Sequence, residues 1–198
     1  MKKFLLILCL WITASFVLAA PALQEGDIVF RSEEGSLAKA IQLATHSSYN
    51  HVGIVFIRKR KPYVLEAVQP VCFTPLNRWW TDGHCAAKRL KNAKTVLTPE
   101  VLHQMEVLAD KSVGKKYSFQ FVWSEDSFYC SGLVWKIYHD TTGLELGKFR
   151  KLKDYDLSSP LVKRELKSKY GALVPMNLKV ISPGEIFKSD LLIPVESK

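Results

Sequence analysis

The stretch DSFYCSGLVWKIY (126–138) places Cys130 directly before an apolar run whose spacing is typical of a helix. We expect this helix to begin at the cysteine and to end at Gly143, a residue type that commonly closes helices. A helix N-terminus favours negative charge, because its N–H groups are unpaired and its dipole is positive there. The stretch therefore predicts a thiol at a place that stabilises a thiolate and the oxyanion formed when a carbonyl is attacked.

Cys130 could be half of a disulfide, a buried thiol or a nucleophile, and the other three of the four cysteines bear on the choice. Cys9 lies in the apolar N-terminal run. Cys72 and Cys85 bracket FTPLNRWWTDGH (73–84), whose Pro, Asp and Gly are typical of a loop, and closing it would contribute about 3 kcal/mol. We expect a Cys72–Cys85 disulfide with Cys130 left over, although the sequence leaves the other pairings open.

The N-terminus predicts export. A short basic segment (1–3) precedes FLLILCLWITASFVLAA (4–20), an uncharged apolar run that ends in small residues, as in a secretory signal peptide. We expect cleavage after Ala19, with Ala22 as the second choice; a retained membrane anchor is the alternative, since the run nearly spans a bilayer. Residues 20–198 are then a single domain in the periplasm, long enough to bury a sizeable core.

The chain is basic, with 28 Lys and Arg against 19 Asp and Glu, a formal net charge of +9 that becomes +7 when the signal removes two lysines and no acid. A basic exported protein approaches anionic polymers or lipid headgroups. The compartment argues against nucleic acid as a partner. The basic stretch 150–169 could dock on an anionic surface, and a solvated helical face is the alternative. Nothing in the sequence indicates an oligomeric state.

The remaining patterns predict one α+β domain. The expected strands are GDIVFRS (26–32), HVGIVFI (51–57), YVLEAVQ (63–69) and AAKRL (86–90). The expected helices are SLAKAIQLATHS (36–47), TPEVLHQMEVLADKSVG (98–114), part of 148–170 and SPGEIF (182–187). The second and third strands are separated by a basic turn and form a hairpin.

Among the five histidines, His51 opens an apolar strand, and a rigid strand end is a good platform for a catalytic base. Glu66 is the only charged residue in YVLEAVQ, and a buried carboxylate needs a partner. With a loop of four residues (58–61), Gly53 pairs with Glu66, and His51 and Glu66 share one face as near-diagonal neighbours. A one-residue change in the loop would separate them. The alternatives are a structural histidine and an ion-paired or solvated glutamate.

A family resemblance joins these residues. YCSGLVW (129–135) resembles the cysteine-helix motif of the NlpC superfamily of papain-like hydrolases, and GKKY (114–117) resembles its glycine–tyrosine segment. The order of histidine, glutamate and cysteine reverses that of papain. With GDIVF (26–30) and YNHVGIVF (49–56) ahead of the cysteine, the chain is similar to the circularly permuted YiiX-like branch, which is related to the lecithin:retinol acyltransferases.

The resemblance implies an α+β fold with a permuted papain-like core, in which an antiparallel sheet or barrel packs against the cysteine helix. It implies Cys130 as nucleophile, His51 as base and Glu66 as the residue that orients the imidazole. It also places Tyr117, Tyr129 and Ser131 in the substrate cleft, although both tyrosines could equally be core aromatics. No metal or cofactor is expected, because the other histidines and acids lack ligand spacing.

The function we expect is an exported cysteine hydrolase, an amidase or peptidase. Resemblance to cell-wall amidases favours an amide bond in the stem peptides of peptidoglycan. The acyltransferase-related branch suggests instead a fatty-acyl amide or ester, or acyl transfer, and apolar residues such as Phe121 could line a groove for it, although core packing is the simpler explanation. A non-catalytic module that binds wall or lipid fragments is the third reading, and the complete Cys–His–Glu set argues against it.

Overall fold

The computed structural model describes residues 22–81, 84–122 and 124–196. The predicted signal peptide, 1–19, lies outside the described residues. Within those three ranges, no helix is both long enough and apolar enough to span a bilayer.

A six-stranded sheet, antiparallel at every pairing, forms the centre of the molecule, in the order β10-β5-β1-β2-β3-β4. Its strands are β1 (Ile28–Arg31), β2 (His51–Arg58), β3 (Lys61–Glu66), β4 (Cys72–Pro75), β5 (Cys85–Leu90) and β10 (Leu192–Pro194). Two short pairs lie outside it, the parallel pair β6 (Lys116–Tyr117) and β7 (Ser127–Phe128) and the antiparallel pair β8 (Arg150–Lys151) and β9 (Lys179–Val180).

The helices begin and end largely where their capping residues predict. They are α1 (Ser36–Thr45), α2 (Leu76–Trp79), α3 (Ala93–Val96), α4 (Pro99–Ser112), α5 (Cys130–Thr142), α6 (Pro160–Tyr170) and α7 (Pro183–Phe187). The Thr98 hydroxyl accepts the Val101 N–H at the start of α4, and the Ser182 hydroxyl accepts the Glu185 N–H at the start of α7. Helix α5 ends at Gly143, whose φ of 70° lies in the left-handed region. The predicted helix at Cys130 is confirmed.

The hairpin of β2 and β3 has the predicted register. Gly53 lies opposite Glu66 and Ile57 opposite Pro62. The loop is tighter than expected, because Arg58 pairs with Lys61 and leaves a turn of only two residues, 59–60, with φ values of 50° and 62°. Two positive φ angles are typical of the turn that matches the twist of a hairpin.

Three apolar clusters hold these elements together. The main core joins one face of the sheet to α4 and α5, and the opposite face packs on α2 around Trp79. The third cluster, with Ala40 from α1 and Val162 and Leu166 from α6, is separate from the main core. We call α1 and α6 together the α1–α6 layer.

The segment predicted to be a stapled loop instead folds as β4 and α2. Strands β4 and β5 lie on opposite sides of β1, β2 and β3, which is about 19 Å along the sheet at the usual strand spacing. A disulfide requires Cα atoms within about 7 Å. The predicted Cys72–Cys85 disulfide is therefore wrong, and both residues are thiols. The Cys72 sulfur lies 3.7 Å from the Thr74 hydroxyl oxygen, and the Cys85 sulfur accepts the Thr81 N–H at 3.3 Å.

Candidate active site

His51 and Glu66 meet on one face of the sheet. His51 is the first residue of β2 and Glu66 the last of β3, and their offset of two residues from the Gly53–Glu66 pair makes them diagonal neighbours. The distance between His51 Nε2 and Glu66 Oε2 is 2.6 Å, and their side chains are 5% and 4% exposed. The register predicted from sequence thus brings the two side chains together.

Further donors hold the Glu66 carboxylate. Its Oε1 accepts the Thr74 hydroxyl at 2.5 Å, and its Oε2 accepts the Trp79 indole N–H at 2.9 Å and lies 3.5 Å from an Arg31 nitrogen. Burial alone would raise the pKa of Glu66, but His51, Thr74 and Arg31 lower this pKa to about 2. Glu66 is therefore a carboxylate throughout the physiological range of pH.

The His51 imidazole lies between Glu66 and Cys130. Burial alone would lower the pKa of His51, but hydrogen bonds to Cys130 and Glu66 raise this pKa to about 10. Cys130 is the first residue of α5 and is 5% exposed. A sulfur at a helix N-terminus with an imidazole beside it is the arrangement of a thiol nucleophile and its base.

Three partners of the site were not predicted from sequence. Trp79 and Thr74 come from the segment interpreted as a loop, and Arg31 ends β1. The Arg31 guanidinium also lies 4.8 Å from the centre of the Trp79 ring and bonds Glu33. In the sequence, only Glu66 itself indicated that such partners exist, because a charged residue in a buried strand requires several hydrogen-bond donors.

The residues predicted to bind substrate all line one cleft beside Cys130. Burial and the nearby charge of Cys130 raise the pKa of Tyr117. The Tyr129 hydroxyl accepts the Ile181 N–H at 3.3 Å. The Ser131 hydroxyl donates to the Ile181 carbonyl at 2.8 Å, so it fastens α5 to this backbone. This hydrogen bond gives the Ser131 hydroxyl a structural role, and its contact with substrate stays a prediction.

Comparison with known proteins finds close relatives. Residues 22–195 match the model of a family described as permuted papain-like amidase enzyme, YaeF/YiiX, C92 family. The chain is 42% identical over 195 residues to the uncharacterized protein YiiX of Escherichia coli strain K12, which covers 98% of this chain and 96% of that protein. It is similar to the crystal structure of metalloprotein yiiX from Escherichia coli O157:H7, with a TM-score of 0.82 and 42% identity over 88% of this chain and 97% of that one.

The description of that relative as a metalloprotein raises the question of a metal site here. An ion bridging His51 and Glu66 does not fit the residues present, because His51 Nε2 contacts Glu66 Oε2 directly at 2.6 Å. In the described ranges, no group of three His, Cys, Asp or Glu residues is arranged to hold a metal.

Proposed function

The chain belongs to the YaeF/YiiX family of permuted papain-like amidases, and from this premise we propose that Cys130, His51 and Glu66 are its catalytic triad. Membership makes the protein a papain-like thiol hydrolase and confirms the predicted permuted α+β fold and its YiiX-like resemblance. The observation that carries the triad is the buried His51–Glu66 pair, 2.6 Å apart, whose imidazole also interacts with the sulfur at the start of α5.

In the first step, the Cys130 sulfur attacks the substrate carbonyl carbon and a C–S bond forms. The oxyanion is stabilised by N–H groups in the first turn of α5 and by the hydroxyl of Tyr117, which lines the cleft beside the sulfur. The bond to the leaving group then breaks, and the His51 imidazolium gives its proton to the departing nitrogen or oxygen.

In the second step, water attacks the acyl-enzyme. His51 now accepts a proton from the water, the C–S bond breaks, and a carboxylic acid leaves while the proton returns to the Cys130–His51 pair. Glu66 is not protonated in either step. It holds the imidazole ring in orientation and stabilises its positive charge.

We propose that this chemistry takes place outside the cytoplasm, since the N-terminal run has the features of a signal peptide. An amide bond in peptidoglycan stem peptides is the substrate predicted from the resemblance. A fatty-acyl amide or ester is the second candidate, with water or another acceptor receiving the acyl group. The apolar character of the cleft beside Cys130 favours this second candidate.

Alkylation of the thiols tests the triad. We expect iodoacetamide to modify Cys130 at pH 6 at least tenfold faster than Cys72, because the His51 imidazole beside the Cys130 sulfur activates this nucleophile. His51→Ala should slow the reaction of Cys130 at least tenfold, measured by mass spectrometry of the peptides. His103→Ala, an exposed site on α4, is the matched control. If Cys130 reacts no faster than Cys72 in the unmodified protein, the triad is wrong.

A further inference from the structure

We propose that the surface at the C-terminal end of α6 binds a membrane that contains anionic lipid, with lysine side chains on the headgroups and apolar side chains in the interface. Neither the triad nor the choice of substrate enters into this binding, which therefore goes beyond the proposed function. No covalent step is involved.

Large apolar side chains are exposed next to α6. Among the described residues eight large apolar side chains are exposed, and four of these lie in two short segments, 119–122 and 173–176. They are Phe119, Val122, Leu173 and Met176. Leu173 is 88% exposed and Phe119 is 54% exposed, so both side chains project into solvent. Single exposed apolar residues are normal, whereas a cluster of them marks an interaction site.

Two contacts join these segments at the C-terminal end of α6. The Tyr170 hydroxyl donates to the Gln120 carbonyl at 2.7 Å, which ties the helix to the loop that carries Phe119. The Lys169 ammonium lies 5.4 Å from the centre of the Phe119 ring. Leu173 follows Tyr170 by only three residues. The exposed apolar side chains therefore belong to one surface, and a cation lies within it.

The same part of the chain is strongly basic. Residues 148–179 contain nine Lys and Arg against three Asp and Glu, which supplies +6 of the chain's formal net charge of +9. Lys153 and Lys167 are exposed, and the Lys153 N–H donates to the Met176 carbonyl at 3.0 Å. We call the four apolar residues together with Lys153, Lys167 and Lys169 the α6-end surface. Anionic lipid headgroups complement its charge.

The three acids of this stretch have other surroundings. The Asp154 carboxylate accepts the Lys151 N–H at 3.2 Å, and the Asp156 carboxylate lies 3.2 Å from a ring nitrogen of His46. Glu165 lines the cleft beside Cys130. The positive charge of the α6-end surface is therefore available to a partner.

A membrane fits this surface better than a second copy of the chain or a wall polymer does. A second copy would bring the same cations opposite one another, and like charges repel. A polysaccharide offers no apolar phase for Leu173 and Phe119. A membrane offers both, and the strength of interfacial binding grows with the apolar area buried and with the attraction to anionic lipid.

The α6-end surface adjoins the active site. Lys169 contacts the Phe119 ring and also lines the cleft beside Cys130. Binding through this surface would therefore hold the enzyme with its active site close to the membrane.

Hydrogen–deuterium exchange in the presence of vesicles tests the proposal. The full chain is expressed, so that any processing on export leaves the protein in its natural form. With vesicles of about one-third phosphatidylglycerol in phosphatidylcholine, we expect amide exchange in 118–122 and 170–177 to slow at least threefold. Vesicles of phosphatidylcholine alone should have little effect. Salt at about 1 M, which shortens the screening length to about 3 Å, should reduce the protection.

Mass spectrometry of the peptides makes this readout local, so lipid binding by the apolar run 4–20 does not mimic it. Leu173→Ser and Lys167→Gln should each raise the lipid concentration for half-maximal protection about fivefold, which for the lysine corresponds to about 1 kcal/mol. Ile57→Ser and Lys61→Gln, at exposed positions of the β2–β3 hairpin, are the matched controls and should stay within twofold. Circular dichroism checks that each variant is folded.

Cys130→Ala should be protected like the unmodified protein, so a failure of the triad leaves this binding intact. Equal protection by both kinds of vesicle, or protection by neither, overturns the proposal. Protection that needs only a higher protein concentration would indicate a second copy, and protection by isolated peptidoglycan but not by vesicles would indicate a wall polymer; either result overturns it. If the hairpin variants weaken binding as much as Leu173→Ser and Lys167→Gln do, the assignment of the α6-end surface is wrong.

Discussion

A buried carboxylate must be both charged and well hydrogen-bonded to act as a fixed partner for an imidazole, and Glu66 meets both conditions. Its Oε1 accepts a hydrogen bond from Thr74. Its Oε2, which also contacts His51, accepts a hydrogen bond from Trp79 and lies near the positive charge of Arg31. Glu66 therefore stabilises the positive charge on the imidazole without competing for its proton. The strength of the pair lies in these surrounding donors as much as in the contact itself.

The two pKa shifts set opposite limits on the stability of this pair. The pKa of Glu66 is lowered from 4.5 to about 2. The contribution of Glu66 to the free energy of unfolding is therefore fully present above pH 4.5 and is lost as the pH falls through about 2. The pKa of His51 is raised from 6.5 to about 10. The contribution of His51 to the free energy of unfolding is therefore fully present below pH 6.5 and is lost as the pH rises through about 10. The pair thus stabilises the fold most between these limits.

Replacing Glu66 tests this electrostatic role. Glu66→Gln removes the negative charge from the imidazole, so we expect the pKa of His51 to fall and the alkaline limb of kcat/KM to move at least one pH unit lower. The imidazole resonances in NMR spectra follow the same titration directly. Glu33→Gln is the control, because this half-buried carboxylate acts on His51 only through space and should move the limb less. An alkaline limb unchanged by Glu66→Gln would contradict the proposed role.

At the scale of elements, the hairpin shows what the sequence could predict. An assumed loop of four residues, 58–61, predicted the register in which Gly53 lies opposite Glu66, and this register brings His51 next to Glu66. The turn type was missed because Lys59 and Arg60 adopt positive φ without the Gly or Asn that usually indicates it.

The segment 72–85 shows where local patterns fail. Strand β4 and helix α2 have four residues each, too few for periodicity to show. Their positions depend on distant partners, since Trp79 bonds Glu66. The disulfide prediction failed for a related reason. Two strands that are close in sequence need not be neighbours in the sheet, and β5 pairs with β1 rather than with β4.

Helix α2 therefore has a testable task, which is to bring the Trp79 indole to Glu66. Trp79→Phe keeps an aromatic ring but removes the N–H donor, and we expect a loss of about 2 kcal/mol in the free energy of unfolding, typical of a hydrogen bond to a charged group. We also expect a reduced kcat. Urea denaturation and steady-state kinetics measure the two effects. Trp80→Phe changes the neighbouring, more exposed indole and should have little effect; equal effects of both variants would argue against this role for α2.

At the scale of the whole molecule, the active site depends on contacts between residues distant in sequence. His51 and Glu66 come from the sheet and Cys130 from a helix that packs against it. The resemblance to a family predicted these three residues, because their motifs are local. The cleft could not be predicted, because it depends on how the α1–α6 layer packs on the main core.

A buried ion pair joins the N-terminal segment to the sheet. The Asp27 side chain is 1% exposed and accepts two hydrogen bonds of 2.6 Å from Arg89 on β5 and one of 2.7 Å from the Gln24 N–H. The adjacent Gly26 carbonyl accepts the hydroxyl of Tyr138 on α5. This connection therefore links the sheet and the cysteine helix at the end of the chain that precedes β1.

Arg89→Met tests how much the fold depends on this pair. The variant leaves a buried carboxylate without its cation, so we expect the free energy of unfolding to fall by about 3 kcal/mol, measured by urea denaturation. Arg78→Met, at an exposed position on α2, removes the same charge from the surface and should change stability by less than about 0.5 kcal/mol. Asp27 lies in the GDIVF motif, so a large loss of stability in Arg89→Met would show that this motif stabilises the fold. If Arg89→Met and Arg78→Met changed the free energy of unfolding equally, the Asp27–Arg89 pair would not stabilise the fold.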